Sequence, residues 1–150
     1  MDATDRRILA ILQDNADLPV AEVAAAVGLS PTPCWRRIQK LRATGIIQRT
    51  VALVDPQAIG FGLNVFVGIE ARDHSPGWLR QFTETVAAMP EVMAIYRMAG
   101  EIDYLLRVAV RDMAGFDDFY RRLIEAVPLK NVTSHFAMER VKYTTAYPVG

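Results

Sequence analysis

The segment over residues 28–45 predicts a sharply bounded helix, and this helix sets the architecture of the first third of the chain. Its sequence is GLSPTPCWRRIQKLRATG. Ser30 can cap the first free N–H groups, and Pro31 suits the first helical turn, where no N–H is needed. Gly45 supplies the left-handed conformation that commonly ends a helix. Apolar residues at i, i+4 and i+7 predict a buried face made of Cys34, Ile38 and Leu41.

The other side of this helix is cationic. It carries Thr32, Pro33, Arg36, Arg37 and Lys40. Residues 23–54 contain no Asp or Glu and five Lys or Arg, although the whole chain has 17 acids, 17 bases and a net charge of zero. A local cationic patch of this kind attracts DNA through phosphate neutralisation and counterion release. The alternative for such a run of bases is a solvated amphipathic helix.

The residues before this helix favour the DNA-binding interpretation. A shorter helix starts near Pro19 and places apolar residues at helical spacing up to Gly28. The turn to the next helix is very short, which predicts a helix-turn-helix whose second helix enters the major groove. An earlier helix, roughly over residues 4–15, completes a three-helix core. The β-branched segment 46–54 predicts a wing-like strand or an exit ribbon.

A different periodicity begins after the linker DPQAIGFG, residues 55–62. Alternation predicts a strand from residue 63 to 71, and later strands are expected over 92–99, 104–110 and 132–142. Two amphipathic helices separate them, the second capped by Asp112. The order βαββαβ is that of the ferredoxin-like fold, in which two helices cover one face of a four-stranded antiparallel sheet. We therefore expect an α+β protein with domains over residues 1–54 and 63–150.

The segment VGLSPTPCWRRIQKLRATGIIQ resembles the DNA-binding segment of the Lrp/AsnC family, the leucine-responsive and asparagine-responsive transcriptional regulators of prokaryotes. The resemblance continues through DPQAIG, LNVFVGIEA, AGEIDYLL and MERVKYTT, and so covers nearly the full chain. It implies a sequence-specific DNA-binding regulator that responds to a small effector, an amino acid. Pro19 departs from the family pattern, because members often carry a capping Ser or Thr there. The residues expected to contact DNA are Ser30, Thr32, Pro33, Arg36, Arg37 and Lys40.

The turn AGEIDY, residues 99–104, is a candidate effector site. Gly100 permits close backbone approach, the Asp103 carboxylate suits an α-ammonium group, and N–H groups near Gly100 suit an α-carboxylate. A plain hairpin turn with solvated acids is the alternative. The resemblance implies a site at the interface between dimers. Its expected residues are Gly100, Glu101, Asp103 and Tyr104, with Thr133 and Ser134 from a neighbouring subunit.

The uncovered face of the predicted sheet is too apolar to be left in water comfortably. Depending on register, it carries Phe66 and Ala109 with either Ala137 or the pair Phe136 and Met138. Packing of this face against a second copy would cover it and provide the two-fold symmetry needed for paired half-sites. We expect a homodimer, and the resemblance implies further assembly to a tetramer or octamer.

Other chemistry finds little support in the sequence. The only cysteine, Cys34, excludes an internal disulfide and is expected to be a small buried hydrophobe. His74 and His135 lack metal-ligand spacing, so neither a metal nor a cofactor is predicted. Trp35 is expected to pack at the helix edge, with contact to the DNA backbone as the alternative. No signal peptide or apolar membrane segment is recognisable, which predicts a cytoplasmic protein. An enzyme is disfavoured, and an architectural DNA-binding protein without effector response stays open.

Overall fold

The computed structural model describes all 150 residues, which form two compact units. The first unit contains Met1–Leu53 together with Val141–Gly150, and the second contains Val54–Arg140. The sequence had placed residues 141–150 with the second domain. In the structure this C-terminal segment packs with the first unit.

Three helices build the first unit: α1 (Ala3–Asp14), α2 (Val20–Val27) and α3 (Pro31–Ala43). Each helix contributes one apolar face to a common core, as the i, i+3, i+4 patterns predict. The predicted buried face of α3 is confirmed. The core residues are Ile8, Leu9, Val23, Ala24, Val27, Cys34, Ile38 and Leu41.

The ends of these helices follow from local chemistry, with two exceptions. Asp2 and Asp5 form a reciprocal capping box at the start of α1, with N–H to carboxylate distances of 2.8 and 3.1 Å. α2 ends at Gly28, whose φ of 73° is left-handed, and Gly45 after α3 has a φ of 74°. The N-caps of α2 and α3, Pro19 and Ser30, make no side-chain capping hydrogen bond.

The expected strand over residues 46–54 is absent. Regular β-structure requires a neighbouring strand to bond the backbone, and the chain places none beside this segment. Its apolar side chains Val51, Leu53 and Val54 are 58%, 69% and 61% exposed. The prediction of a wing-like strand, made from β propensity alone, was wrong for this chain.

The second unit is a ferredoxin-like domain, and the predicted α+β class is confirmed. Its elements are β1 (Leu63–Ala71), α4 (Pro76–Ala87), β2 (Val92–Arg97), β3 (Tyr104–Val110), α5 (Met113–Ala126) and β4 (Leu129–Phe136). The sheet order is β2-β3-β1-β4, and every neighbouring pair is antiparallel. Ser75 and Asp112 cap the two helices through their side-chain oxygens.

The sequence predicted the last strand over residues 132–142, but β4 begins at Leu129 and ends at Phe136. Leu129 already pairs with Ala71, and the strand ends at Phe136. The N–H of Ala137 donates to the carbonyl oxygen of Asn64 at 2.9 Å. Because β1 starts at Leu63, no partner remains for the residues that follow.

The register decides which side chains occupy the open face of the sheet. The ring of Phe136 meets that of Phe116 edge-on at 4.9 Å, so Phe136 lies on the helix-covered face. Phe66 pairs with Arg107 and His135 on the opposite face and is 38% exposed. Phe66 therefore lies on the open face, and the alternative that placed Phe136 there was wrong.

Candidate functional site

The exposed face of α3 presents a ridge of unpaired cationic and small polar residues. Thr32, Arg36 and Lys40 recur at i, i+4 and i+8, and all three are exposed, as are Pro33 and Ser30. The side chains of Arg36 and Lys40 take part in no ion pair or hydrogen bond within the chain. Their charges are therefore free to meet an anionic partner.

Arg37 differs from its neighbours because two carboxylates of α1 hold it. Its guanidinium donates to Asp2 at 2.6 Å and to Asp5 at 2.8 Å, and its side chain is 34% exposed. A hydrogen bond from the Asp5 N–H and another from Arg37 lower the pKa of Asp2. Partial burial opposes the same change at Asp5, yet the Arg37 hydrogen bond keeps its pKa below the usual value. Arg37 thus joins the N-terminus of α1 to α3.

The acids and cations border one open depression of about 630 Å³ on the surface of the unit. Asp2, Asp5, Arg36 and Lys40 are among the residues that line it. A second link, from the guanidinium of Arg7 to the carbonyl oxygen of Ala26 at 2.9 Å, ties α1 to the end of α2. The position of α3 therefore depends on α1.

Two further residues of α3 test the sequence interpretation. Trp35 is 51% exposed, so about half of it is covered, and both packing at the helix edge and contact with the DNA backbone stay predictions. It lies about 100° around the helix from Arg36, beside the ridge rather than on it. Cys34 is fully buried among the core residues, and burial raises the pKa of its thiol. Such a thiol is a packing group and not a nucleophile.

The turn between β2 and β3 is anchored to β1 through Asp103. The Asp103 N–H donates to the Ile69 carbonyl at 2.8 Å, and the Asp103 carbonyl accepts from the Met98 N–H at 2.8 Å. The Oδ2 atom of Asp103 accepts from the Ala71 N–H at 2.7 Å, whereas Oδ1 accepts no hydrogen bond within the chain. Gly100 has a φ of 139°, which side-chain-bearing residues rarely adopt.

Gly68 of β1 is a contributor to this region that the sequence did not indicate. A Cβ atom at this position would lie 3.2 Å from Cγ2 of Ile102 and 3.8 Å from the carbonyl oxygen of Thr133. The missing side chain therefore lets Ile102 of the turn lie against the strand. An isolated glycine in an alternating apolar strand was the available signal.

The remaining predicted effector residues separate onto two faces. Thr133 pairs with Gly68 on the open face, near the turn, while Ser134 pairs with the buried Val67 on the helix-covered face. The ring of Tyr104 belongs to the core, 4.6 Å from Phe82, and is 8% exposed. Glu101 is exposed. The structure thus brings Gly100, Glu101 and Asp103 together in one turn and leaves the ring of Tyr104 in the core.

A small cavity of about 110 Å³ lies beside Asp103. His74 and Arg97 also line it, together with the aromatic residues Trp78 and Tyr104. Its volume equals that of a few water molecules, at about 30 Å³ each. His74 and Arg97 come from separate segments, so no local pattern could have placed them beside Asp103.

Two family models together match most of the chain. Residues 1–42 match the AsnC-type helix-turn-helix domain, and residues 64–147 match the Lrp/AsnC ligand binding domain. A helix-turn-helix joined to a ferredoxin-like domain with this match defines a DNA-binding transcriptional regulator, a class that is not enzymatic. The chain belongs to the Lrp/AsnC family of transcriptional regulators.

Full-length relatives and solved structures agree with this assignment. The chain is 49% identical to the DNA-binding transcriptional activator DecR of Escherichia coli K12, over 99% of both chains. It is 43% identical to the glutamate uptake regulatory protein of Zymomonas mobilis, over 99% of this chain and 91% of that one. An AsnC family regulator from Agrobacterium tumefaciens superimposes with a TM-score of 0.97 at 52% identity, over 99% of this chain and 97% of that one.

A regulator from Neisseria meningitidis, solved in complex with L-Met, is similar along its whole length. It superimposes with a TM-score of 0.95 at 33% identity and covers 99% of this chain and 97% of its own. None of the helices of the present chain is both long and apolar enough to cross a membrane.

Proposed function

We propose that this regulator binds the major groove through α3 and changes its DNA affinity or oligomer geometry when a free amino acid binds at the turn between β2 and β3. It acts in the cytoplasm, as a homo-oligomer on double-stranded DNA. The observation that carries the DNA-binding part is the exposed ridge in which Arg36 and Lys40 have no partner in the chain.

The residues of α3 are expected to contact DNA in different ways, because their surroundings in the structure differ. Arg36 and Lys40 supply free charge, which neutralises phosphates or reads guanine edges. Ser30 and Thr32 lie at the N-terminus of α3, where the helix dipole, the two side-chain hydroxyls and the Thr32 N–H favour phosphate. Pro33 has no N–H and adds only contact surface there. Arg37 contributes at the edge of this surface, because its guanidinium is shared with two carboxylates.

The effector part rests on the unpaired Oδ1 atom of Asp103. Oδ2 is already held by the Ala71 N–H, so the carboxylate is fixed in place while one oxygen stays available for an α-ammonium group. Backbone N–H groups near Gly100 suit the α-carboxylate. The L-Met complex of the Neisseria meningitidis relative supports a free amino acid as the ligand class.

The cavity of about 110 Å³ beside Asp103 is lined by one chain only, and we propose that a neighbouring subunit completes the site. We place Thr133 of a neighbouring subunit there, together with Glu101 of the turn. Ser134, on the helix-covered face, is not part of this site. Dimer formation through the open sheet face would bury Phe66 and Tyr96, which are 38% and 55% exposed in the single chain. The resulting two-fold axis presents two copies of α3 to paired half-sites.

A thermal-shift screen of the twenty free amino acids tests the effector proposal. A ligand at 100 times its Kd adds about 2.7 kcal/mol to the free energy of unfolding. The amino acid that stabilises the protein is then added to a fluorescence anisotropy titration with a duplex selected from a random library. We expect a shift in DNA affinity. Intact DNA binding with no stabilising amino acid would identify an architectural protein without an effector.

A further inference from the structure

The C-terminal segment, residues 141–150, is part of the first unit although it follows β4 of the second. The side-chain amide of Gln13 in α1 forms hydrogen bonds with both backbone groups of Tyr147, its carbonyl oxygen and its N–H. Its Nε2 atom donates to the Tyr147 carbonyl at 3.1 Å, and its Oε1 atom accepts from the Tyr147 N–H at 2.7 Å. Two residues further on, Val149 packs against the three-helix core.

This contact selects one register of the C-terminal segment. A single amide side chain satisfies both backbone groups of Tyr147, as a neighbouring strand would, and a shift by one residue would bring Pro148, which has no N–H. The Tyr147 ring is 78% exposed, so the attachment comes from the backbone and from Val149. Pro148 restricts the backbone between these two contacts and lowers the entropy lost on docking.

The same segment is the direct continuation of β4. Only residues 137–140 separate the end of that strand from the part of the chain that belongs to the first unit. The chain therefore joins the two units twice, once after Leu53 and once after Arg140. The second connection starts at the strand that carries Thr133 and Ser134.

At its two ends, α1 contacts the C-terminal segment and α3. Gln13 in its last turn binds Tyr147, and Asp2 and Asp5 at its start bind Arg37 of α3. α1 is about 18 Å long and joins the two sets of contacts in one continuous helix.

We propose that residues 141–150 form a C-terminal strap, which docks on α1 of its own chain and couples β4 to the position of α3. A docked strap holds α1, and α1 holds Arg37. Release of the strap loosens α1 and weakens DNA binding. The DNA-binding consequence rests on the proposed function, whereas the docking itself does not.

Hydrogen exchange of the full chain, followed by mass spectrometry, tests the docking. Two variants release the strap: Gln13→Ala, and a chain that ends at Lys142. The matched control is Gln81→Ala, an exposed glutamine of α4. We expect exchange in α1 to rise on the order of fivefold in both strap variants, and exchange in β1 and β3 to stay unchanged. Ala favours helix, so faster exchange in Gln13→Ala cannot come from helix propensity. Unchanged exchange of α1 in the shortened chain would overturn the docking.

A cross-linking experiment separates docking within one chain from exchange between two chains. Gln13→Cys and Tyr147→Cys are combined and treated with a short bis-maleimide, while the buried Cys34 stays unlabelled. We expect a cross-linked product of monomer mass on a denaturing gel. A product of dimer mass would show that the strap docks on a second copy, which contradicts the proposal.

DNA titrations of the same variants test the coupling. Relative to the parent, we expect Gln13→Ala and the shortened chain to bind the selected duplex several-fold more weakly, and Gln81→Ala to bind it equally well. Faster exchange in α1 with parental DNA affinity would refute coupling. A parent that binds no duplex would refute the proposed function and leave the exchange result to judge the docking alone.

Discussion

Two substitutions of Asp103 separate its structural task from its proposed task in ligand binding. Asp103→Ala removes the acceptor of the partly buried Ala71 N–H. A hydrogen bond to a charged group contributes about 1.5–3 kcal/mol, so we expect a loss of that size in the free energy of unfolding. Asp103→Asn keeps an acceptor oxygen and removes the charge, so its stability should stay within about 1 kcal/mol of the parent.

Ligand binding, unlike stability, should weaken in both variants, because both remove the charge of Asp103. An α-ammonium group that loses its carboxylate partner should bind at least tenfold more weakly, which is about 1.4 kcal/mol or more, in both variants. Chemical denaturation measures the stability, and calorimetric titration with the amino acid from the thermal-shift screen measures the affinity. Glu84→Gln, which neutralises an exposed carboxylate of α4, is the control. Parental ligand affinity in Asp103→Asn would refute the role of the charge, and parental stability in Asp103→Ala would refute the structural role.

Three further predictions address the ion pair, the sheet face and the core. The pKa values of Asp2 and Asp5 are lowered in the folded state, so the stability that these carboxylates contribute is present at neutral pH and is lost as the pH falls below about 4. In chemical denaturation at a series of pH values, Arg37→Gln should reduce this loss of stability at acid pH. An unchanged dependence on pH would argue against the ion pair. Phe66→Glu places a charge on the open sheet face and should convert the oligomer to smaller species in sedimentation velocity, whereas an unaltered profile would exclude that face as the interface. Phe82→Ala removes a fully buried ring stacked on Trp78 and should cost about 3–5 kcal/mol of unfolding free energy, and a loss under 1 kcal/mol would contradict the core assignment.

The elements of this fold were largely predictable because their signals are local. The i, i+4, i+7 pattern of α3 and the alternation of β1 each follow from neighbours in sequence, and the structure confirms both. The strand expected over 46–54 was wrong because β propensity says nothing about whether a partner strand is available. The same limit explains the end of β4, which is set by the start of β1 at Leu63.

The candidate site was predictable only in part, because its environment comes from remote segments. The cationic face of α3 was visible in the sequence, but the Asp2 and Asp5 carboxylates that hold Arg37 lie more than thirty residues earlier. Likewise, no local pattern links Gln13 to Tyr147, which are 134 residues apart. Contacts of this kind depend on tertiary packing, which the sequence pattern of either segment does not specify.

The salt dependence of DNA binding tests the central claim, that the exposed ridge of α3 contacts DNA, most directly. Fluorescence anisotropy titrations with the selected duplex, at a series of salt concentrations, compare the parent with Arg36→Ala, Lys40→Ala and the control Arg80→Ala on α4. Each phosphate contact that is lost should reduce the steepness of log K against log salt by about 0.9, whereas an arginine that reads a base should weaken binding by about 1–3 kcal/mol and relax sequence preference. We predict one of these changes for Arg36→Ala and for Lys40→Ala, and neither for Arg80→Ala. Affinities, slopes and sequence preferences equal to those of the parent in both α3 variants would contradict the account.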